Sequence, residues 1–215
     1  MKKILSIVIV IVLLFSCKTQ LIDQERTYVP EDRTDNINKK HAKTGTFYFI
    51  RHCEVDGHRD TNPHLSNVGI DRANKYSSFF MDKNIDVVFT TNLNRTADTA
   101  EIIAKKSKVD VLYYDPFNLN YKKFLEENKS FSVVIVGHSH TTPKFVNGLL
   151  GEPKYSQMVD KNYSDIFKLD LYKGQVVFDE VLTIENEIQK IEDAKLTPSE
   201  LKKVLRERKK TNKKW

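Results

Sequence analysis

The chain has 215 residues, of which 40% are hydrophobic and 30% are charged, so it can bury the core of one globular domain but not of two large ones. Its net charge of +6 is concentrated near the carboxyl terminus, where positions 202 to 214 hold eight Lys or Arg residues against Glu207 alone. The remaining chain is almost neutral, which argues against a nucleic acid as substrate or partner of the main domain.

The first residues have the organisation of a secretory signal. Lys2 and Lys3 precede an apolar run at 4–15, and Ser16 and Cys17 follow it. The run is too short to span a bilayer comfortably, and "LLFSC" resembles a bacterial lipobox. We therefore expect residues 1–16 to be a lipoprotein signal peptide and Cys17 to be lipidated. An ordinary signal peptide and an uncleaved anchor are the alternatives.

A lipidated Cys17 would hold the mature protein in the bacterial cell envelope, facing the periplasm or the exterior. Residues 17–45 are polar and lack apolar periodicity, which is typical of a flexible tether. The chain has two cysteines, so Cys53 would have no partner for an internal disulfide. A lone catalytic thiolate in an oxidising compartment would be vulnerable to oxidation.

Short apolar runs alternate with helical patterns from residue 46 onwards. The runs are nearly continuous, which indicates strands covered on both faces, and a late alternating segment around Lys173 and Gly174 predicts an antiparallel hairpin at the sheet edge. We expect a three-layer α/β/α sandwich with a mostly parallel sheet over residues 46–190. The predicted strands are 46–50, 87–91, 110–115 and 132–138, and the predicted helices are 66–81, 94–106 and 141–150.

Residues 191–215 predict a basic carboxyl-terminal helix or tail. In "TPSE", Thr197 is the expected cap, Pro198 the first helical residue and Glu200 the second half of a capping box. The basic run is either a solvated face or a surface that adheres to anionic lipid headgroups.

The stretch "RHCEVDGHR" at 51–59 matches two phosphatase signatures. Arg51 and His52 begin an Arg-His-x-Glu motif with a histidine nucleophile, whereas His52, Cys53 and Arg59 fit His-Cys-x5-Arg with a cysteine nucleophile. Asp56 stands where a cysteine phosphatase loop usually has Gly, and a carboxylate there would repel phosphate. The histidine interpretation is therefore favoured.

Cationic and imidazole groups follow three of the predicted strands. Arg51 and His52 follow the first strand, Arg95 the second and His138 the fourth. Ligands of open α/β sheets bind at the carboxyl ends of strands, where such residues converge. Two guanidiniums and two imidazoles could bind a phosphoryl group without a metal or another cofactor.

Four segments in order resemble motifs of the histidine phosphatase superfamily, also called phosphoglycerate mutase-like: "RHCE", "LSNVGIDRA", "TTNLNRTADTAEII" and "VVIVGHSHTTP". The resemblance implies that His52 is transiently phosphorylated while Arg51, Arg95 and His138 bind the phosphoryl group. A cationic His138 beside a neutral His52 would favour the transition state.

The general acid is the least defined part of the resemblance. Asp115, at the end of the third strand, is our candidate, and a turn-capping role beside Pro116 is the alternative. Glu54 is expected to pair with an arginine. Cys53 replaces the usual small residue after the nucleophile, and His140 stands where Asn is common.

These observations predict a lipid-anchored histidine phosphatase that hydrolyses a phosphomonoester or phosphohistidine without a metal. The short segments between the motifs leave the site open, which favours hydrolysis over mutase activity. The alternative is a non-catalytic, lipid-anchored protein of the same fold that binds a phosphorylated ligand. Substrate choice would lie in the loops 55–64 and 114–121.

Overall fold

A computed structural model describes residues 44–57 and 60–211. The predicted signal peptide, Cys17, the tether up to residue 43 and Arg59 lie outside the described residues. The proposed boundaries, a tether ending at residue 45 and a domain over residues 46–190, stay predictions, although the first strand already begins at Thr44.

The described residues form six strands and six helices. The strands are β1 (Thr44–Arg51), β2 (Val87–Thr90), β3 (Asp110–Tyr113), β4 (Ser132–Gly137), β5 (Asp165–Tyr172) and β6 (Gln175–Thr183). The helices are α1 (Asn67–Phe80), α2 (Asn94–Ser107), α3 (Tyr121–Asn128), α4 (Thr141–Leu150), α5 (Ile184–Asp193) and α6 (Pro198–Thr211). The sequence patterns did not predict α3 or α5.

One six-stranded sheet has the order β3-β2-β4-β1-β5-β6. The four strands from β3 to β1 pair in parallel, whereas β5 and β6 are antiparallel additions at one edge. The predicted hairpin turn is present, with Lys173 and Gly174 at φ values of 52° and 78°. The mostly parallel sheet is therefore confirmed.

Apolar side chains on the two faces of the sheet pack against different helices. Alternate residues of β1 point to opposite faces, as the pleat of a strand requires, so Tyr48 and Ile50 belong to one cluster and Phe47 and Phe49 to the other. The first cluster includes residues of α1, α2 and α5, and the second includes residues of α3 and α4. Both faces are covered, which confirms the predicted three layers.

The start of α1 packs unusually close to the segment that follows β1. Ser66 caps the helix by accepting a hydrogen bond from the Gly69 amide at 3.1 Å. A Cβ at Gly69 would lie 2.0 Å from the carbonyl oxygen of Glu54. Arg72, one turn further on, donates from Nε to both carboxylate oxygens of Glu54 at 2.8 and 3.0 Å. The expected role of Glu54 as an arginine partner is confirmed.

The carboxyl-terminal helix starts as its capping box predicts. The Thr197 amide donates to Glu200 Oε2 at 2.9 Å, and the Glu200 amide donates to Thr197 Oγ1 at 3.4 Å. Arg208 binds both oxygens of Asp193 and so ties α6 to α5. Within the described ranges, no helix has the length and apolar character needed to cross a membrane.

Gly69→Ala tests how closely α1 must approach the segment after β1. We expect it to lower the free energy of unfolding by about 3 kcal/mol, because the added methyl group meets main chain that cannot move aside. Asp71→Ala, at an exposed position of the same helix, should change it by less than about 0.5 kcal/mol. Urea denaturation measures both, and equal effects would show that the contact does not constrain the fold.

Candidate active site

The carboxyl ends of three adjacent parallel strands bring the predicted cationic residues together. Arg51 ends β1, His52 follows it, and His138 follows the neighbouring strand β4. The His52 amide donates to the Gly137 carbonyl at 2.9 Å, and the rings of His52 and His138 have centroids 5.6 Å apart. Arg95, at the start of α2, acts electrostatically on both imidazoles. The predicted convergence of remote segments is therefore present.

The tautomer of His52 is determined by its own backbone. Its Nδ1 lies 2.8 Å from the carbonyl oxygen of Cys53, which can only accept, so Nδ1 carries the hydrogen and Nε2 holds the lone pair. Burial lowers the pKa of His52 to about 3 against the effect of this hydrogen bond, and His138, Arg51 and Arg95 lower it further. The ring is therefore neutral at pH 7, with an unprotonated Nε2.

His138 is held by a chain of hydroxyl groups. Its Nε2 lies 2.9 Å from Thr91 Oγ1, which lies 2.9 Å from Thr96 Oγ1. Burial, together with Arg95, His140 and Arg51, lowers the pKa of His138 to about 4. In the free site both imidazoles are thus neutral at pH 7, which differs from the opposite protonation states expected from the sequence. Burial above all, and then the charges of Arg95, His140 and Arg51, disfavour the proton that His138 was expected to carry.

Arg51 is nearly buried and keeps donors available for an anion. Its Nη1 donates to the Asn162 carbonyl at 3.3 Å, and its guanidinium carbon lies 4.2 Å from the ring centroid of Tyr163. Within the described residues its Nε is buried without a hydrogen-bond partner. Burial and the charge of Arg51 lower the pKa of Arg95. An oxyanion bound between the guanidiniums would reduce the repulsion between them.

Sequence reasoning missed Thr91, Asn162 and Tyr163. Thr91 directly follows β2, the kind of position that drew attention to the other residues, so its place in the chain could have identified it. Asn162 and Tyr163 precede an antiparallel strand, where no comparable rule applies.

Cys53 lies in the core rather than in the site. It is fully buried in the apolar cluster that includes Ala73 and Tyr76, and its amide donates to Thr99 Oγ1 at 3.1 Å. Burial raises the pKa of the thiol to about 12, so a thiolate is not available at pH 7. The interpretation of this segment as a cysteine phosphatase loop is therefore not supported.

Asp115 caps a turn, which is the alternative role that the sequence left open. Its carboxylate accepts hydrogen bonds from the Phe117 amide at 2.8 Å and from Asn118 Nδ2 at 2.6 Å. These bonds lower the pKa of the exposed carboxyl group, so it is ionised at pH 7 and cannot donate a proton in this arrangement. Its assignment as the general acid stays a prediction.

A loop beside the site is fastened to the start of α2. The backbone N–H of Asn94 donates to Asn62 Oδ1 at 2.8 Å, and its side-chain Nδ2 donates to His64 Nε2 at 3.2 Å. His64 Nδ1 in turn donates to Asp98 at 2.9 Å. These contacts hold the end of the predicted substrate loop beside the helix that carries Arg95.

We expect a bound oxyanion to favour the protonated form of His138 and so to raise its pKa. A dianion favours the protonated ring, so sulfate should raise the pKa of His138 from about 4, and sulfate affinity should increase as the pH falls from about 8 to about 5. Imidazole NMR titrations with and without sulfate measure the pKa, and His140→Asn separates His138 from the neighbouring ring 6.1 Å away. An unchanged or lowered pKa of His138 would contradict this account.

Comparisons with known proteins agree with this geometry. A family model described as "Histidine phosphatase superfamily (branch 1)" matches residues 47–118. A comparison with curated protein sequences finds no match.

Solved structures share the fold at low sequence identity. The protein histidine phosphatase SixA complexed with tungstate is 16% identical, with a TM-score of 0.52 over 66% of this chain and 98% of that one. A mycobacterial glucosyl-3-phosphoglycerate phosphatase is 11% identical, with a TM-score of 0.51 over 65% of this chain and 98% of that one. The resemblance inferred from the motifs is therefore confirmed by the match of residues 47–118 to the model of the histidine phosphatase superfamily, branch 1, and the fold is phosphoglycerate mutase-like.

Proposed function

We propose that this protein is a metal-independent phosphohydrolase that acts through a phosphohistidine at His52 on a phosphomonoester or on phosphohistidine. The family match supports phosphatase chemistry. The observation that carries the finer proposal is the bond from His52 Nδ1 to the Cys53 carbonyl, because it places the lone pair on Nε2 beside cationic groups.

The reaction has two displacements at phosphorus. His52 Nε2 attacks, the bond to the leaving oxygen or nitrogen breaks, and that atom takes its bonding pair. A water molecule then breaks the phosphorus–nitrogen bond, releases phosphate and restores the neutral imidazole. Arg51 and Arg95 neutralise charge on the phosphoryl oxygens in both steps, and a proton gained by His138 would add a third cation.

The state of Asp115 bears on which leaving groups are accepted. An ionised carboxylate cannot protonate a departing alkoxide. We therefore expect substrates whose leaving group is a weaker base, such as an aryl phosphate or phosphohistidine, to react faster than an alkyl phosphate.

The second candidate is a protein that binds a phosphorylated ligand without turnover. The paired donors on Arg51 and Arg95 would serve this role equally well. The neutral, correctly protonated His52 favours the enzyme, because anion binding alone does not require a free lone pair on Nε2.

We further propose that a lipid on Cys17 anchors the protein in the cell envelope and that α6 assists by contacting anionic headgroups. Lys202, Lys203, Arg206, Lys209 and Lys210 are exposed on this helix, Lys210 in an exposed pair with Glu207, whereas the half-buried Arg208 is engaged with Asp193. Each exposed cation near an anionic membrane contributes about 1 kcal/mol.

Trapping the covalent intermediate tests the nucleophile. With an aryl phosphate as substrate, the parent protein should form an acid-labile, base-stable adduct. His52→Ala should abolish the adduct and lower kcat/KM by about 10⁴-fold or more, since no other group replaces Nε2. Quenched samples analysed by mass spectrometry locate the phosphoryl group.

Cys53→Ser is the matched control at the adjacent position. It should keep the adduct and cost only about 1–3 kcal/mol of stability, because a hydroxyl group enters the apolar core. An adduct that survives in His52→Ala but disappears in Cys53→Ser would reverse the assignment. A parent protein that binds phosphate but turns over no ester would favour the binding protein.

Vesicle sedimentation tests the basic helix. For protein that begins at residue 18, replacing the five exposed basic residues of α6 by Gln should weaken binding to vesicles rich in anionic lipid by at least about tenfold. The matched control replaces five exposed lysines elsewhere, namely Lys75, Lys105, Lys108, Lys122 and Lys144. Equal losses in both variants would show that general charge, not α6, attracts the protein to the membrane.

A further inference from the structure

The segment 162–164, just before β5, lies against the site and is fastened by α1. The Tyr163 carbonyl accepts a hydrogen bond from the hydroxyl of Tyr76 at 2.6 Å, and Tyr76 is completely buried. Ser164 Oγ accepts from Arg72 Nη1 at 3.2 Å. The chain on the carboxyl-terminal side of the Tyr163 side chain is thus held by a helix of the core.

The Tyr163 ring contacts two residues of the site. The guanidinium carbon of Arg51 lies 4.2 Å from the ring centroid, within cation–π distance. The centroid of the His52 ring lies 5.9 Å away, with the two planes at 61°. Tyr163 is half-buried and belongs to neither of the two apolar clusters in the described chain. Its environment is therefore that of the site rather than of the core.

Stacking constrains a guanidinium without using its hydrogen-bond donors. The five N–H groups lie in the plane of the guanidinium, whereas the aromatic ring occupies one face. In Arg51 the Asn162 carbonyl takes one donor at Nη1, and the buried Nε has no partner among the described residues. The contact with the ring thus restrains the guanidinium without using any of its donors.

We propose that Tyr163 is a positioning residue for phosphoryl binding: its ring holds the plane of the Arg51 guanidinium so that the remaining donors bind the oxygens of the substrate beside His52. This inference rests on the proposed function for its role in turnover, but its effect on anion binding is independent of turnover. The ring is the required feature, and the hydroxyl group is not.

Sulfate calorimetry on three variants tests the proposal. Tyr163→Leu should weaken sulfate binding about tenfold, because Arg51 loses its fixed plane, whereas Tyr163→Phe should stay within about twofold of the parent. Tyr172→Leu is the matched control: it removes a cation–π contact away from the site, with Lys173 Nζ 5.4 Å from the ring centroid, at the opposite end of β5. It should leave sulfate affinity unchanged.

A double-mutant cycle separates positioning from a general structural role. In an Arg51→Lys background, which keeps the charge but lacks a planar fork, Tyr163→Leu should weaken sulfate binding by less than about twofold. In turnover assays Tyr163→Leu should raise KM by about tenfold and lower kcat less, since Arg51 binds the phosphoryl group before and during reaction.

Three results would overturn the inference: unchanged sulfate affinity in folded Tyr163→Leu, equal losses in the Leu and Phe variants, or an undiminished loss in the Arg51→Lys background. An inert parent protein that still shows the expected pattern of sulfate affinities would refute the proposed turnover and leave the positioning role supported.

Discussion

Burial and the two guanidiniums of Arg51 and Arg95 determine the protonation of His52 and His138. Both imidazoles are kept neutral, so His52 Nε2 retains its lone pair over the whole physiological pH range. In the proposed reaction the same positive field would attract a phosphoryl dianion, whose charge would favour a proton on His138. The charge proposed to bind the substrate would therefore also keep the His52 lone pair free.

Two like-charged guanidiniums in one site need a rigid framework around them. Contacts of the first half of α1 form part of this framework. Gly69 permits main-chain contact with Glu54, and Arg72 joins Glu54 to Ser164. These contacts connect the segment after β1, which begins with His52, to the segment before β5, which carries Tyr163. A short stretch of one helix thus sets the distance between both sides of the site.

The sequence predicted the parts of the fold that depend on local periodicity and caps, and the parts of the site that follow parallel strands. It predicted the core strands, the start of α1 at Ser66 and the convergence of Arg51, His52, Arg95 and His138. It did not predict α3 or α5, whose short amphipathic patterns resemble loop and strand sequence. The protonation state of His138 and the contact of Tyr163 with Arg51 could not be predicted either, because both depend on burial and on distances between remote segments.

The two signatures in residues 51–59 show why a motif needs a folded context. His52 and Cys53 are adjacent, yet the imidazole faces His138 while the thiol enters the cluster that contains Tyr76. Burial acts on both groups in the same physical sense, since it disfavours the charged form. For histidine the neutral form is the nucleophile, whereas for cysteine the charged form is. The same dry environment therefore keeps the imidazole in the form that could attack phosphorus and the thiol in the form that could not.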